Sequence, residues 1–308
     1  MRYIGSKKTL KPWIFEEINK IKKVENSVFC DLFAGSCEIT KEAKKQGAFV
    51  VSNDLQYYSY ILAKYYLEDN NPITKFDYTP TEGIITDLYA NKSMYFTKEN
   101  AMICDGILKA IKEQSLSVSV LAGLIMGMDE IANQTGYYDV YLKHFKDRSL
   151  KKVELVEEII PGKKGEAHNR KAEELITEIG GDILYLDPPY NTRQYSSKYH
   201  VLETIAKMDN PKVHGKTVMR DDCEKSVFLS KKTVYENLEH IIKNANFGYI
   251  FLSYNDEGLL SLEQIKEIFE KYGEYSVVEK EYKRFKSGKE ISTKTTTIEY
   301  LHILKKEQ

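Results

Sequence analysis

The sequence predicts a doubly wound α/β domain, in which mostly parallel strands alternate with helices, together with a mostly helical insert. Two apolar runs within residues 27–54 flank a small-residue turn and a segment of helical composition. The same alternation resumes after residue 165 and continues to the end of the chain. Between residues 70 and 165, short helical patterns and polar loops replace it, which indicates an insert.

The first βαβ unit occupies residues 27–54. The run SVFCDLF predicts a strand, AGS a tight turn, CEITKEAKKQ a helix and AFVVSND a second strand. Gly47 stands where the helix is expected to stop, because glycine readily adopts the left-handed conformation at a helix C-terminus. Strands joined in this way are parallel, with a right-handed crossover. The next run, LQYYSYILAKYYLED, predicts another helix.

The second half of the chain continues this alternation and then departs from it. One of its predicted helices opens with Ser261 and Gln264 at the spacing of a capping box. The last two extended segments have no helix between them, which predicts an antiparallel end of the sheet. The predicted helices are 168–180, 198–208, 232–245 and 261–273, and the predicted extended segments are 182–190, 248–255, 274–285 and 295–306.

The composition is that of an ordinary globular protein. The chain has 308 residues, of which 42% are hydrophobic, and a net charge of −1, so any nucleic-acid contact must come from local basic patches. The four cysteines (Cys30, Cys37, Cys104 and Cys223) lie far apart, which argues against a zinc site and a disulfide framework. The sequence has neither a signal peptide nor a bilayer-spanning run. We expect a cytoplasmic protein with no metal and no membrane contact.

The turn DLFAGSCEIT is a candidate for cofactor binding. Its small residues let a ligand approach the backbone, and the helix that follows adds partial positive charge. Only Gly35 of the fingerprint G-x-G-x-x-G is present, which argues against a dinucleotide. Asp54 lies 23 residues after Asp31, at the end of the second strand, and can accept hydrogen bonds from both ribose hydroxyls of an adenosine. By itself, this segment leaves an ordinary strand-to-helix turn equally open.

The run DILYLDPPY places an acid and an aromatic ring at the end of a strand, where doubly wound folds bind their ligands. The prolines make the bend rigid and leave carbonyl oxygens as acceptors. Asp187 and the Pro188 carbonyl suit an exocyclic amine on a planar ring, and Tyr190 can stack on that ring, which contributes about 1–3 kcal/mol per base. A base in a duplex must first be flipped out. The simpler alternative is an ordinary loop after a core strand.

These motifs together resemble the Dam-like α class of adenine-N6 DNA methyltransferases. The order is RYIGSKK at 2–8, DLFAGS at 31–36, an insert, and DPPY at 187–190, so the resemblance spans most of the chain. It implies a Rossmann-like methyltransferase fold, S-adenosylmethionine as cofactor and adenine in double-stranded DNA as substrate. It also implies a catalytic domain of 1–69 and 166–308 and a target-recognition insert of 70–165.

The resemblance further implies the residues of the site. Asn169 falls where relatives commonly carry an acid that contacts the cofactor's adenine amine, and its side-chain oxygen can accept the same bond. Cys37 stands where many relatives have glycine. The implied catalytic residues are Asp187, Pro188, Pro189 and Tyr190. The implied cofactor-binding residues are Tyr3, Gly5, Ser6, Lys7, Asp31, Phe33, Ala34, Gly35, Ser36, Asp54, Asn169 and Asp187.

Basic and aromatic residues are candidates for DNA contact. The segment after DPPY resembles the corresponding segment of the methyltransferases that belong to restriction–modification systems. A cognate restriction endonuclease is therefore a candidate partner, and a bacterium or phage the expected source. We expect the enzyme to be a monomer or a weak dimer. For the two basic runs, 142–152 and 282–290, a solvated charge run is the alternative. The DNA-binding candidates are Lys143, Lys146, Arg148, Arg193, Tyr195, Lys198, Lys283 and Arg284.

Other functions stay open at this point. A methyltransferase acting on RNA adenine or on a protein amide would share the chemistry, although asparagine is common there in place of Asp187. A non-catalytic DNA-binding module on the same fold is a second alternative. The sequence disfavours it because the motif at 187–190 is intact. A nicotinamide dehydrogenase is disfavoured because the chain lacks the glycine fingerprint.

Overall fold

The computed structural model describes residues 5–189, 195–224, 226–283 and 296–307. Contacts within the chain divide these described residues into two compact units. The sheet unit draws on Lys7–Leu55, Ile160–Gln194 and Lys225–Gln308. The helical unit draws on Met1–Ser6, Gln56–Ile159 and Tyr195–Glu224.

The sheet unit is built on a seven-stranded sheet with the order β3-β2-β1-β4-β7-β9-β8. Neighbouring strands from β3 to β7 are parallel, whereas β9 runs antiparallel to both β7 and β8. Its strands are β1 (Val28–Asp31), β2 (Phe49–Asn53), β3 (Glu166–His168), β4 (Gly180–Leu186), β7 (Asn246–Asn255), β8 (Gly273–Lys283) and β9 (Thr296–Lys306). The antiparallel end of the sheet is therefore where the sequence predicts it.

Helices cover both faces of this sheet. Side chains alternate along a strand, so Phe29 and Cys30 of β1 face opposite sides. Phe29 stacks on Phe15 of the first helix with ring centroids 5.9 Å apart, whereas Cys30 lies in a core that includes Leu238 and Phe269. The helices of this unit are α1 (Lys11–Ile21), α2 (Glu38–Lys45), α6 (Ala172–Leu175), α9 (Val234–Asn244) and α10 (Leu262–Glu270). The predicted doubly wound fold is confirmed.

The helical unit contains the remaining helices and a two-stranded hairpin. The helix after Gln56 passes into a π-helical turn, Tyr65–Asp69, and a second π-helical turn spans Thr86–Asn91. Its helices are α3 (Tyr57–Lys64), α4 (Lys98–Gln114), α5 (Val118–Ile131), α7 (Tyr195–Lys198) and α8 (His200–Lys207), and its hairpin strands are β5 (Val213–His214) and β6 (Met219–Arg220). No helix among the described residues is long and apolar enough to cross a membrane.

One local prediction from the sequence is confirmed and another is wrong. The capping box is present, since Ser261 accepts from the backbone of Gln264 and the Gln264 side chain bonds back to Ser261. The predicted helix 168–180 is wrong: only Ala172–Leu175 is helical, and His168 ends strand β3. That strand is a short polar edge strand, which the apolar pattern of a buried strand could not indicate.

The predicted division of function between 1–69 with 166–308 and an insert at 70–165 stays a prediction. The contacts group the chain differently from that division. The helical unit takes in most of the predicted insert together with 56–69 and 195–224.

Candidate active site

Asp187 lies directly after β4, a central strand with β1 on one side and β7 on the other. The burial of β4 increases along the strand, so its last four residues, 183–186, are fully buried. Pro188 is buried and Pro189 half-buried, and both prolines lack the N–H group that would continue the ladder. The apolar run thus delivers an acid to the carboxyl edge of the sheet. Tyr190, the last residue of the motif, lies outside the described residues.

A buried lysine binds this acid. The ammonium of Lys7 lies 2.8 Å from Oδ1 of Asp187 and 3.1 Å from Oε1 of Glu299 in β9. Lys7 is 4% exposed and Glu299 is 0% exposed, whereas Asp187 is 18% exposed. Of the three side chains, the Asp187 carboxylate is the one that reaches solvent most.

Burial changes the acidity of Asp187. Loss of solvent raises the pKa of its carboxyl to about 6, an effect that the charge of Glu299 reinforces and the ammonium of Lys7 opposes. Above that pH the carboxylate is charged and acts only as a hydrogen-bond acceptor. Asp187 is therefore an acceptor at neutral pH and becomes a donor in mildly acidic solution.

The turn after β1 is held by the end of β2. The amide of Ala34 donates to the carbonyl of Asn53 at 2.9 Å, and the amide of Gly35 donates to Oδ2 of Asp54 at 2.7 Å. Gly35 has a φ of 51° and Cys37 a φ of 60°, so both are left-handed. This conformation costs a side-chain-bearing residue about 1–2 kcal/mol, which explains why glycine suits position 37.

Asp31 lies at the end of β1 and is buried. Its Oδ2 accepts from the backbone amide of Thr40 at 3.0 Å and from the Thr40 hydroxyl at 2.7 Å. Burial raises the pKa of Asp31 to about 7; the Thr40 hydrogen bonds oppose the shift, and the charges of Asp187 and Asp54 add to it. Asp31 ends β1, Asp54 follows β2 and Asp187 follows β4; because these are adjacent parallel strands, the three carboxylates lie at one edge of the sheet.

Asn169 lies beside this edge. Its amide nitrogen donates to the carbonyl of Asp54 at 2.8 Å and to that of Leu55 at 3.0 Å. Both bonds use the nitrogen, and within the described part of the chain the side-chain oxygen accepts none. The predicted contact between that oxygen and the cofactor's adenine amine stays a prediction, and the orientation of the amide is compatible with it.

The other predicted cofactor residues lie in different parts of the chain. Phe33, Ala34 and Ser36 belong to the turn, where Phe33 packs edge-on against Phe228 with ring centroids 5.2 Å apart. Gly5 and Ser6 belong to the helical unit, and Gly5 has a φ of 72°. Tyr3 lies outside the described residues. Lys7 reaches Asp187, and its predicted contact with the cofactor stays a prediction.

The predicted DNA-binding residues have varied surroundings. Lys143 is exposed. Lys146 donates to the carbonyl of Gln134 at 2.9 Å, and Arg148 donates to the carbonyls of Ala132 and Gln134, each at 2.7 Å. These two cations thus satisfy carbonyl groups just beyond the C-terminus of α5.

The remaining DNA-binding candidates lie near or within the two stretches, 190–194 and 284–295, that the structure does not describe. The ammonium of Lys198 pairs with Asp139 and lies 4.5 Å from the centre of the Tyr137 ring. Tyr195 begins α7 and Lys283 ends β8. Arg193 and Arg284 lie outside the described residues. A role in DNA binding stays a prediction for all eight candidates.

Sequence reasoning missed Glu299 and Thr40. Glu299 lies in the run TTTIEYLHILKK, where alternation alone leaves open which of its two faces is buried. Its burial results from what packs on that face, where Lys7 lies 3.1 Å and the hydroxyl of Tyr282 3.5 Å from its carboxylate oxygens. Thr40 lies in the first turns of α2, where its hydroxyl and amide both reach Asp31, and no motif pointed to that pairing.

Comparison with known proteins identifies the family of this chain. A family model described as "D12 class N6 adenine-specific DNA methyltransferase" matches residues 3–284. Type II methyltransferase M.NlaIII of Neisseria lactamica is 38% identical, over 99% of this chain and 99% of its own. M.CviAII of Paramecium bursaria Chlorella virus 1 is 36% identical over 92% of each chain. M.FokI of Planomicrobium okeanokoites is 38% identical over 93% of this chain, which spans only 50% of that protein. With a match of this extent, the chain belongs to the D12 class of N6 adenine-specific DNA methyltransferases.

Proposed function

We propose that this enzyme modifies adenine at a specific short site in double-stranded DNA, with S-adenosylmethionine as the methyl donor and Asp187 as the acceptor that holds the target amine. Membership of the family implies an adenine N6 methyl transfer to DNA and the use of S-adenosylmethionine. The observation that carries the proposal is the position of Asp187, a partly exposed carboxylate on a rigid bend at the carboxyl edge of the sheet.

The geometry around Asp187 leaves one of its oxygens for a substrate. Lys7 binds Oδ1, and no hydrogen bond to Oδ2 is formed within the described part of the chain. The adenine amine has two N–H groups, and its nitrogen lone pair is delocalised into the ring. Hydrogen bonds to Oδ2 of Asp187 and to the carbonyl of Pro188 would draw that lone pair out of conjugation. The nitrogen then becomes nucleophilic, and the proton that it loses passes to Oδ2 or to water.

The chemistry of the site suits a positively charged ligand. When bound, S-adenosylmethionine supplies a methyl group on a positively charged sulfur. The carboxylates of Asp187 and Asp54 both raise the pKa of Asp31, so negative charge accumulates at this edge. Among the described residues, Lys7 is the cation that directly neutralises Asp187. In the proposed arrangement Asp54 holds the ribose, the turn at 33–36 lies against the cofactor, and Asn169 accepts from the adenine amine.

The proposed substrate is duplex DNA, from which the target adenine is flipped out before transfer. Tyr190 would stack on the extruded base, and the basic candidates would contact phosphates. We assign recognition of the site to the insert at 70–165. The relatives are named type II methyltransferases of a bacterium and a virus, so a cognate restriction endonuclease is the proposed partner, and the cytoplasm the proposed location.

A labelled methyl-transfer assay tests the proposal. The full-length protein is incubated with labelled S-adenosylmethionine and with duplex DNA, RNA or protein in separate reactions, and methylated adenines are mapped by sequencing. We expect label in duplex DNA at one short motif. Label in RNA or protein alone would reject the substrate.

A matched pair of variants tests the role of Asp187. Asp187→Asn removes the charge at the carboxyl end of β4, and we expect it to lower kcat by roughly 100- to 1,000-fold. Asp182→Asn removes a carboxylate near the other end of the same strand, where Asp182 pairs with Lys22 at 2.8 Å. Its kcat should match the wild type. Similar rates for the two variants would remove Asp187 from the mechanism.

A further inference from the structure

Lys7, in the run RYIGSKK, links three separate segments of the sheet unit. Lys7 belongs to the turn before α1, Asp187 follows β4 and Glu299 lies within β9. Glu299 pairs with Asn255 of β7 on one side and with Lys280 of β8 on the other. Its position is therefore set by the sheet itself, and it offers Lys7 a rigid anchor.

This cluster is an inefficient way to stabilise a fold. Removing charges from water is costly, and a single ammonium cannot neutralise two buried carboxylates. Replacing a buried ion pair by apolar residues of similar volume often leaves the free energy of unfolding unchanged or raises it. A buried charge cluster at the ligand-binding edge of the sheet is therefore better explained by its effect on Asp187.

Several charged or titratable groups influence Asp187. Tyr282 of β8 also contacts the cluster, since its hydroxyl lies 3.5 Å from Oε2 of Glu299. Among these groups, Lys7 alone is positively charged. The groups are Lys7 from the turn, Glu299 from β9, Tyr282 from β8, Tyr185 from β4 and Asp31 from β1.

We propose that Lys7 and Glu299 are positioning residues for Asp187. Glu299 holds the ammonium of Lys7, and Lys7 holds Oδ1 of Asp187 so that Oδ2 is aimed at the target amine. The inference rests on the proposed function, because it takes Asp187 as the acceptor of that amine. A carboxylate is planar, so anchoring one oxygen restricts the direction of the other. A misplacement of about 1 Å can cost about 100-fold in rate.

The first test separates catalysis from cofactor binding. Glu299→Gln keeps the volume of the side chain and removes its charge, whereas Lys7→Met removes the ammonium. We expect kcat to fall about 10- to 100-fold in both variants, while the Kd for S-adenosylmethionine, measured by calorimetry, changes less than about twofold. A direct cofactor contact by Lys7 would instead weaken binding by tenfold or more in Lys7→Met, with kcat preserved.

The second test is the pH dependence of kcat, which a merely structural role would not move. Protonation of Asp187 removes the acceptor, so the rate should fall below about pH 6 in the wild type. Lys7 lowers the pKa of Asp187 and Glu299 raises it. The acid limb should therefore move to higher pH in Lys7→Met and to lower pH in Glu299→Gln.

Controls make the outcomes distinct. Lys22→Met disrupts an ion pair near the amino end of β4 and should leave kcat and the pH profile unchanged. If Lys7→Met does not fold by circular dichroism, Lys7→Arg and Glu299→Gln decide the question. Normal kcat and an unmoved acid limb in Glu299→Gln overturn the inference if Asp187→Asn is inactive. An active Asp187→Asn overturns the proposed function instead.

Discussion

Each unit of this protein buries a cation between two carboxylates, with opposite consequences. In the helical unit, Arg220 is 2% exposed and binds Asp209 and Asp222, which are 38% and 57% exposed. In the sheet unit, Lys7 is 4% exposed, and its partners Asp187 and Glu299 are 18% and 0% exposed. The two cations are buried to a similar extent, whereas the acids of the sheet unit are more buried than those of the helical unit.

The pKa values of the acids follow this difference in exposure. Hydrogen bonds from Arg220 lower the pKa of Asp222, whose carboxylate still contacts water. Loss of solvent raises the pKa of Asp187 to about 6 despite a lysine at 2.8 Å. Arg220 also makes two-pronged contacts, with both distances to Asp209 at 2.6 Å. The first cluster joins the β5–β6 hairpin to Asp209, which precedes it in the chain, whereas the second holds a partly exposed carboxylate at the carboxyl edge of the sheet.

The largest effect that would sharpen this comparison is on folding stability. Lys7→Met leaves Asp187 and Glu299 buried without their cation, so we expect it to lower the free energy of unfolding by about 3–5 kcal/mol at pH 8. Urea denaturation followed by circular dichroism measures it. A loss under about 1 kcal/mol would mean that water reaches both acids.

The pH dependence of stability is the next effect in size. The pKa of Asp31, about 7, and that of Asp187, about 6, lie above the ordinary value of an unfolded aspartate. The stability that their protonation confers is complete below that ordinary value and is lost as the pH rises through 6 to 7.

We expect the free energy of unfolding, without cofactor, to fall by about 4 kcal/mol from pH 5 to pH 8 through these two groups. Asp31→Asn should make the fall smaller, because only Asp187 would then titrate. Urea midpoints across this range measure it, and identical curves for the variant and the wild type would show that Asp31 does not cause the fall.

The helical unit supplies a smaller effect. Arg220→Met removes charge-assisted hydrogen bonds, but Asp209 and Asp222 can return to water, so we expect a loss of about 2 kcal/mol. The measurement is the same urea titration, compared directly with Lys7→Met. A loss as large as that of Lys7→Met would show that exposure of the acids does not govern the cost.

The smallest effect belongs to a pair exposed on both sides. Lys22 and Asp182 are 36% and 37% exposed, so Lys22→Met should cost less than about 1 kcal/mol, and added salt should reduce even that. The series Lys7, Arg220, Lys22 therefore ranks the three pairs by the burial of their acids, and a different order would break the comparison.

Much of the site could be predicted because its residues are adjacent in the chain. The run DILYLDPPY indicates both a buried strand and the acid at its end, and the structure places Asp187 directly after β4. The turn at Gly35 and the acid at Asp54 follow from the first βαβ unit, and the two are joined by a hydrogen bond of 2.7 Å. Local chemistry and short-range pattern suffice for such features.

Interactions between distant segments could not be predicted. Nothing in the sequence links Lys7 to Glu299, although the two lie 3.1 Å apart. The basic run 142–152 predicted a surface for DNA, yet Lys146 and Arg148 bond to carbonyls of the chain's own backbone. A cation's partner depends on which groups the fold brings within reach, and a charge run carries no information about that.

The sequence by itself determined most of the order of strands and helices outside the insert, the bend that carries Asp187 and the family, because each depends on patterns of a few neighbouring residues. Only the tertiary structure decided which charges lose their water. Glu299 is buried where Lys7 and Tyr282 pack against it and Asp31 where Thr40 of α2 binds it, whereas Asp187 keeps partial exposure at the carboxyl edge of the sheet. Desolvation depends on everything packed around a group, so it is a property of the assembled sheet rather than of any segment.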